Sequence, residues 1–105
     1  MIKVSILYPN KPGSHFDMSY YLATHMPLAM RLLGKSLHKT EVDAGIQGIK
    51  PGEPPPFFGG CQFYCDSIDA FLEVWKLAAA ELTADIPKYT DVTPIIQFNE
   101  VKLSL

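Results

Sequence analysis

The sequence predicts a small α+β domain in which two helices cover one face of a four-stranded antiparallel sheet. Two observations lead to this prediction. Segments in which apolar residues recur every second position alternate with segments of helical period, and their order along the chain is β-α-β-β-α-β. That order is the ferredoxin-like plan, and a chain of 105 residues is long enough for one such domain, spanning residues 1–105.

The first strand and the first helix have the clearest patterns. Residues Ile2 to Tyr8 alternate between apolar and polar faces, as a half-buried strand does. A stripe at three- and four-residue spacing then predicts a helix that is capped by Asp17 and stopped by Gly34. The members of this stripe are Met18, Tyr21, Leu22, His25, Leu28, Ala29, Leu32 and Leu33.

Pro27 falls inside the helical stripe, two residues after His25. A proline in a helix interior removes one backbone hydrogen bond and crowds the carbonyl group four residues earlier, here that of Ala23. We therefore expect the helix to kink or to break beside His25.

The middle of the chain predicts two further strands with a loop between them. Ser36 to Ile46 alternates weakly, whereas Gln47 to Pro56 is rich in proline and glycine and is expected to be a loop. Phe57 to Cys65 is the third strand, in which Gly59 and Gly60 indicate a bulge or a close approach by another group. The side chains expected on its inner face are Phe57, Cys61, Phe63 and Cys65.

The last two elements are a helix and a weakly patterned strand. Ser67 or Asp66 caps the helix, which should end near Ala84 because Pro87 follows. Its apolar stripe consists of Phe71, Leu72, Trp75, Ala78, Ala79 and Leu82. Thr93 to Leu103 alternates weakly and predicts the fourth strand.

The second face of the predicted sheet has no helix to cover it. It should carry Leu7, Phe58, Tyr64 and either Ile95 or Ile96. A monomer rarely exposes so many large apolar side chains together. We therefore expect a homodimer in which two sheets pack face to face.

Composition excludes several classes of partner. Nine Lys and Arg against eleven Asp and Glu give a net charge of −2, which argues against nucleic acid and anionic membranes as partners. No apolar run approaches the length of a membrane span or a signal peptide. Cys61 and Cys65 are about 13 Å apart along a strand, too far for a disulfide, so we expect reduced thiols and a cytoplasmic location.

His25 is the most informative polar residue for predicting function. It lies on the apolar stripe of the first helix, so its imidazole should face the sheet. Two interpretations stand. It is a core histidine that donates to a backbone carbonyl, or it is a general acid/base at the bottom of a pocket, oriented by Tyr21 one turn earlier.

The other candidate site residues are expected to surround the same cleft. Asp85 and Tyr89 lie in a charged segment after the second helix, which should run over the end of the sheet. With His25 as the catalytic residue, the substrate-binding residues predicted are Tyr21, Phe63, Trp75, Asp85 and Tyr89. Trp75 can equally be a core residue.

Metal and nucleotide cofactors are not expected. His15 and His38 have no other ligand type at a suitable spacing, and they are expected to be exposed polar residues. No phosphate-binding glycine motif appears. We predict that neither metal nor flavin is needed, and the same holds for haem unless His25 is its ligand.

The segment Tyr20 to Leu28, which reads YYLATHMPL, resembles the signature of the EthD family, a tyrosine pair followed by H-x-P-L. The family takes its name from ethyl tert-butyl ether degradation. Phe63 to Ser67 and Ala84 to Thr90 also resemble the family pattern, as do Tyr8-Pro9 and the end of the chain. The resemblance therefore covers nearly the whole sequence.

The resemblance implies a dimeric α+β barrel with His25 in a cleft between helices and sheet. It also implies a role beside oxidative enzymes in the degradation of small organic compounds. Members of the same superfamily include cofactor-free oxygenases, isomerases, and dehydratases or cyclases of aromatic polyketides. The prediction is a small cytosolic homodimer that binds a hydrophobic or aromatic compound, with cofactor-free proton transfer by His25 if it is an enzyme. The alternatives are dehydratase, cyclase or isomerase chemistry of polyketide type, a non-catalytic carrier, and a dimer whose pocket has no physiological ligand.

Overall fold

A computed structural model describes all 105 residues as a four-stranded antiparallel sheet with two long helices on one face. The order of strands in the sheet is β2-β3-β1-β4. The strands are β1 (Ile2–Pro9), β2 (Leu37–Ala44), β3 (Phe57–Cys65) and β4 (Ile95–Glu100). The α+β class and the order β-α-β-β-α-β are therefore confirmed.

The second and fourth strands are shorter than predicted, and each has a physical reason. β2 is an edge strand that pairs only with β3, and its pairing ends where Ala44 meets Gly59. β4 pairs only with β1, so it ends at Glu100, opposite Ile2 at the start of β1. It begins after Pro94, which has no backbone N–H to offer to a ladder.

The first helix has three parts: α-helical Met18–Tyr20, π-helical Tyr21–His25 and α-helical Met26–Leu33. The Asp17 carboxylate accepts a hydrogen bond from the Tyr20 backbone N–H at 3.1 Å, which confirms the predicted N-cap. A 3₁₀ turn, Gly34–Ser36, follows, and Gly34 has a helical φ of −52°.

Pro27 does not break the first helix. The Met26 N–H donates to the Tyr21 carbonyl, five residues earlier, so the turn before the proline is widened. This π-helical turn relieves the crowding between the proline ring and the Ala23 carbonyl that a regular helix would impose. The expectation of a break is therefore wrong, but an irregularity in the helix does lie beside His25, where a kink or a break was expected.

The second helix, Ile68–Asp85, begins at the cap Ser67, whose hydroxyl accepts from the Ala70 N–H at 3.0 Å. It ends one residue later than predicted and passes into a 3₁₀ turn, Ile86–Lys88. None of the helices combines the length and the apolarity that a membrane crossing requires.

The glycine pair in β3 accommodates a bulge. Tyr8 pairs with Gly59 and Pro9 with Phe57, so Phe58 has no partner across β1. A Cβ atom on Gly59 would collide with the Asp43 carbonyl oxygen, and one on Gly60 with that of Ile6. Both halves of the prediction, bulge and close approach, are confirmed.

The bulge reverses the faces predicted for the two phenylalanines. Phe58 stacks on Phe16 at 5.8 Å between ring centroids, on the side of the helices. Phe57 instead lines an outer groove together with Leu7. The expectation that Phe58 lies on the uncovered face and Phe57 on the inner face is wrong, because one extra residue in a strand shifts the alternation by one position.

The uncovered face is therefore less apolar than the sequence predicts. Leu7 pairs with Ile95, which places Ile95 on this face, whereas Ile96 pairs with Ile6 on the helix side. Ser5, Gln62, Gln97 and Asn99 form a hydrogen-bonded polar group on the same face. The homodimer stays a prediction.

Candidate functional site

A cavity of about 220 Å³ lies between the helices and the inner face of the sheet. Four of the six predicted site residues line it: Tyr21, His25, Phe63 and Trp75. The remaining lining residues are Ile6, Tyr8, Met26, Ala29, Leu33, Cys61, Leu82, Thr83, Ile86, Thr93, Pro94 and Ile96. Most of these side chains are hydrophobic, so the cavity suits an apolar molecule with few polar groups.

His25 and Asp85 form a buried pair beside this cavity. The distance between His25 Nδ1 and Asp85 Oδ2 is 2.9 Å, and each residue is only 7% exposed. The carboxylate can only accept, so Nδ1 carries the proton and donates it. The expectation that a core histidine would donate to a backbone carbonyl is wrong, because its partner is a carboxylate.

Tyr20 fixes the other oxygen of Asp85. Its hydroxyl donates to Oδ1 at 2.7 Å, and the Lys88 ammonium lies 3.8 Å from the same oxygen. Burial alone would raise the pKa of Asp85. The hydrogen bonds from Tyr20 and His25, and the charge of Lys88, outweigh burial and hold this pKa below its usual value. Asp85 is therefore a carboxylate at neutral pH.

Two tyrosine hydroxyls continue the hydrogen-bonded chain from the second ring nitrogen. The Tyr89 hydroxyl lies 3.3 Å from His25 Nε2 and 2.6 Å from the Tyr8 hydroxyl. With the proton of neutral His25 on Nδ1, Nε2 accepts from Tyr89, which in turn accepts from Tyr8. Tyr8 lines the cavity, so these hydrogen bonds connect the imidazole of His25 to the cavity.

Burial keeps the tyrosines of the site protonated. Desolvation raises the pKa of Tyr8 to about 12, although its hydrogen bond with Tyr89 lowers it. The pKa values of Tyr21 and Tyr89 are also raised, again chiefly by burial. These hydroxyl groups therefore act as hydrogen-bond donors and acceptors at neutral pH, and His25 is the side chain that can take up a proton.

Aromatic packing holds the imidazole in place. Tyr21 stacks on His25 with ring centroids 5.4 Å apart and planes 14° apart, and Tyr89 packs against it at 4.7 Å. The expected orienting role of Tyr21 thus takes the form of stacking. The hydrogen bond that orients the ring comes from Asp85.

The segment after the second helix brings Tyr89 to the site. The 3₁₀ turn Ile86–Lys88 reverses the chain, and Phe16 and Thr90 then form an isolated antiparallel bridge. The Asp17 N–H donates to the Tyr89 carbonyl at 2.8 Å, and the Thr90 hydroxyl donates to the His15 carbonyl at 2.6 Å. This segment is thereby fastened to the start of the first helix.

Asp85 and Tyr89, which were predicted to contact the substrate, do not line the cavity. They lie behind His25 and act on it through hydrogen bonds. The structure adds Tyr8 and Tyr20, which were not among the predicted site residues. The sequence signals were present, because Tyr8 is the last inward residue of β1 and Tyr20 belongs to the tyrosine pair of the motif.

The other polar candidates lie outside the cavity or are inert. His15 and His38 are exposed, as predicted, and face Asp91 and Asp66 respectively. Cys61 lines the cavity as a free thiol, and burial raises its pKa to about 11. No group of three or more His, Cys, Asp or Glu side chains is arranged to hold a metal ion.

The chain is similar to known proteins over most of its length. The family model described as the EthD domain matches residues 14–93. An EthD-like protein from Ralstonia eutropha JMP134 has 38% sequence identity and a TM-score of 0.93, over 99% of this chain and 94% of its own. No curated protein matches the chain.

A more distant structure shows the same fold. It is an ethyl tert-butyl ether degradation (EthD) family protein from Bacillus halodurans C-125, with 20% identity and a TM-score of 0.66. The alignment covers 96% of this chain and 98% of that protein. The family match over most of the sequence, together with the 38% identity of the Ralstonia protein, settles the classification. This chain is a member of the EthD family.

Proposed function

We propose that this protein binds a small, mostly apolar organic compound in its helix–sheet cavity, and that His25 transfers a proton to or from that compound without a cofactor. The observation that carries the proposal is the placement of His25. Its imidazole lines an apolar cavity, while its Nδ1 atom is held by the buried carboxylate of Asp85. A base oriented by a second group in this way is a common arrangement for general acid/base catalysis.

The hydrogen-bonded chain supplies a route for the proton. A ligand that gives up a proton at Tyr8 can pass it on through Tyr89 to His25 Nε2, each hydroxyl gaining one proton as it loses another. The imidazolium that forms is stabilised by the Asp85 carboxylate. Asp85 is a positioning residue in this scheme, because it acts through His25 and does not line the cavity, whereas Tyr89 relays the proton between Tyr8 and His25.

The size of the cavity supports small ligands. An apolar protein cavity of about 150 Å³ binds benzene, so 220 Å³ suits a single substituted ring or a compact branched aliphatic compound. A polyketide with several fused rings needs more space. The cavity volume therefore supports a role in the degradation of small organic compounds over polyketide dehydratase or cyclase chemistry.

The proposal includes a cytosolic homodimer. Leu7 and Ile95 are apolar side chains on the face that no helix covers, and Ile95 is 53% exposed. Packing this face against a second copy would remove them from water. The cytosolic location is supported by Cys61 and Cys65, which are both buried free thiols.

A ligand screen that also detects product tests the proposal. Thermal shift would measure binding of single-ring phenols, ketones and small branched ethers to the wild type, His25→Asn and the exposed control His38→Asn. Mass spectrometry would follow any conversion of the compounds that bind. We expect binding by all three proteins and conversion by the wild type and the control only.

The same screen distinguishes the competing functions. Binding without conversion would favour the carrier and overturn the proton-transfer role. Conversion that persists in His25→Asn would place the chemistry on another group. If no compound in the panel bound, the small-molecule function itself would be contradicted.

A further inference from the structure

A second cavity lies next to the first, between the second helix and the edge strand β4. Its volume is about 90 Å³, and every residue that lines it is hydrophobic. These residues are Ile6, Phe71, Leu72, Trp75, Ile96 and Phe98. Its surface is almost wholly apolar, so it suits an apolar group and not a charged one.

The two cavities share a wall. Ile6, Trp75 and Ile96 line both of them. The indole of Trp75 stacks on Phe71 with ring centroids 5.8 Å apart, so it is held in position from the side of the second cavity. Ile96 and Leu72 are 46% and 41% exposed, which leaves apolar surface for a ligand to cover.

The register of the sheet shows how the two cavities follow one another along β1. Tyr8, Ile6 and Val4 follow one another along the inner face of β1, and Phe98 lies opposite Val4. Tyr8 is at the end near His25, Ile6 belongs to both cavities, and Phe98 belongs to the second. Four residues of strand span about 13 Å, so a ligand along this line would have one polar and one apolar end.

We propose that the second cavity is a subsite for an apolar tail of the same ligand whose polar head lies at His25 and Tyr8. This inference rests on the proposed function and deepens it by naming the ligand class. Because 90 Å³ is less than the roughly 150 Å³ that accommodates benzene, the tail is a short alkyl chain and not a second ring. The ligand is a compact or single-ring head with an alkyl group of a few carbons, and Trp75 selects for it at the junction.

Calorimetric titration with phenol, 4-ethylphenol and 4-butylphenol tests the subsite. In the wild type, we expect the affinity to rise about fourfold for each methylene that enters apolar surroundings. Leu72→Trp places a bulky side chain at the rim of the second cavity and should abolish this dependence without weakening phenol binding. Leu77→Trp, at a position 83% exposed on the same helix, is the matched control and should behave as the wild type.

The outcomes separate this inference from the proposed function. If phenol binds but tail length has no effect in the wild type, the subsite is overturned and the proposed function stands. The subsite is equally overturned if the length dependence persists in Leu72→Trp, because the tail then lies elsewhere. Failure of all three phenols to bind would overturn the subsite and count against the proposed function as well.

Discussion

His25 Nδ1 and Asp85 Oδ2 lie 2.9 Å apart, although the two residues are 60 positions apart in the chain. Asp85 is the last residue of the second helix, and His25 is the last residue of the π-helical turn in the first. The pair therefore joins the two helices at one point beside the cavity. A change to either partner should affect chemistry and stability together, so turnover and the free energy of unfolding have to be measured side by side.

Replacement of His25 by asparagine should remove proton transfer and keep ligand binding. We expect turnover of any compound found in the screen to fall about a hundredfold or more, since general acid/base groups contribute about 10²–10⁴. The unmade hydrogen bond to Asp85 should also lower the free energy of unfolding by about 1–3 kcal/mol. Turnover, ligand affinity and melting temperature would be compared with those of the wild type. A variant that melts earlier but turns over at the wild-type rate would contradict the catalytic role.

Asp85 should make stability depend on pH. Its pKa is lowered in the folded protein, so its contribution to stability is present above the unfolded value of about 3.9 and is lost as the pH falls through the folded value. The free energy of unfolding of the wild type should therefore exceed that of Asp85→Asn by the largest amount at neutral pH. The difference should shrink below about pH 4. Urea unfolding between pH 2.5 and pH 7 measures this, with the exposed Asp43→Asn as control. A difference that stays constant over this range would rule the mechanism out.

Gly60 and Gly34 should respond oppositely to alanine. A Cβ atom on Gly60 would collide with the Ile6 carbonyl oxygen in the central strand, so Gly60→Ala should destabilise the fold by about 1–3 kcal/mol. Gly34 has helical φ and ψ angles and no atom near its Cβ position, so Gly34→Ala should stabilise by about 0.4–1 kcal/mol. Urea midpoints of the two variants measure both effects. Equal midpoints would show that the close approach at β3 is not rigid.

Leu7 should be part of the dimer interface if the uncovered face pairs with a second copy. Sedimentation equilibrium at micromolar concentration should give twice the 11.7 kDa mass of the chain. Leu7→Asp should shift the protein to the monomer, because a charge would be buried without a partner. Leu77→Asp, on the exposed side of the second helix, should leave the mass unchanged. A wild type that sediments at 11.7 kDa would exclude the dimer.

The periodic patterns predicted most of the fold because a buried face must be apolar wherever it occurs. Ile2 to Tyr8 lie on the faces that their spacing indicates. Of the predicted helical stripe, Tyr21, His25, Ala29 and Leu33 are buried, but Leu22 is 51% exposed and Met26, which the stripe omitted, is buried.

The faces predicted for Phe57 and Phe58 were wrong for a physical reason. Gly59 and Gly60 indicate a bulge. The position of the unpaired residue, however, depends on which carbonyl of the neighbouring strand approaches, and the apolar–polar alternation of the sequence does not contain that information.

For the site, the sequence predicted which side chains point inward and not which atoms meet. His25 and Trp75 line the cavity because their helix positions face the sheet, and Phe63 lines it because its strand position faces the helices. The contact between His25 and Asp85 depends on where two helices end relative to each other, which no local pattern encodes. The hydroxyl groups of Tyr8 and Tyr20 likewise find partners 81 and 65 residues away in the chain.

The π-helical turn also bears on how this site can vary between relatives. A five-residue turn holds one residue more than a regular turn of the same helix, so deletion of the exposed Thr24 would let normal α-helical bonding resume. The Met26 N–H would still donate to the Tyr21 carbonyl, now four residues earlier, so the helix on either side would keep its place. Tyr21 and His25 would be three residues apart, and their side chains would point about 60° away from each other, so the present stacking of the two rings would be lost. Gain or loss of a single codon is therefore enough to change how the imidazole is held, while the rest of the helix keeps its register.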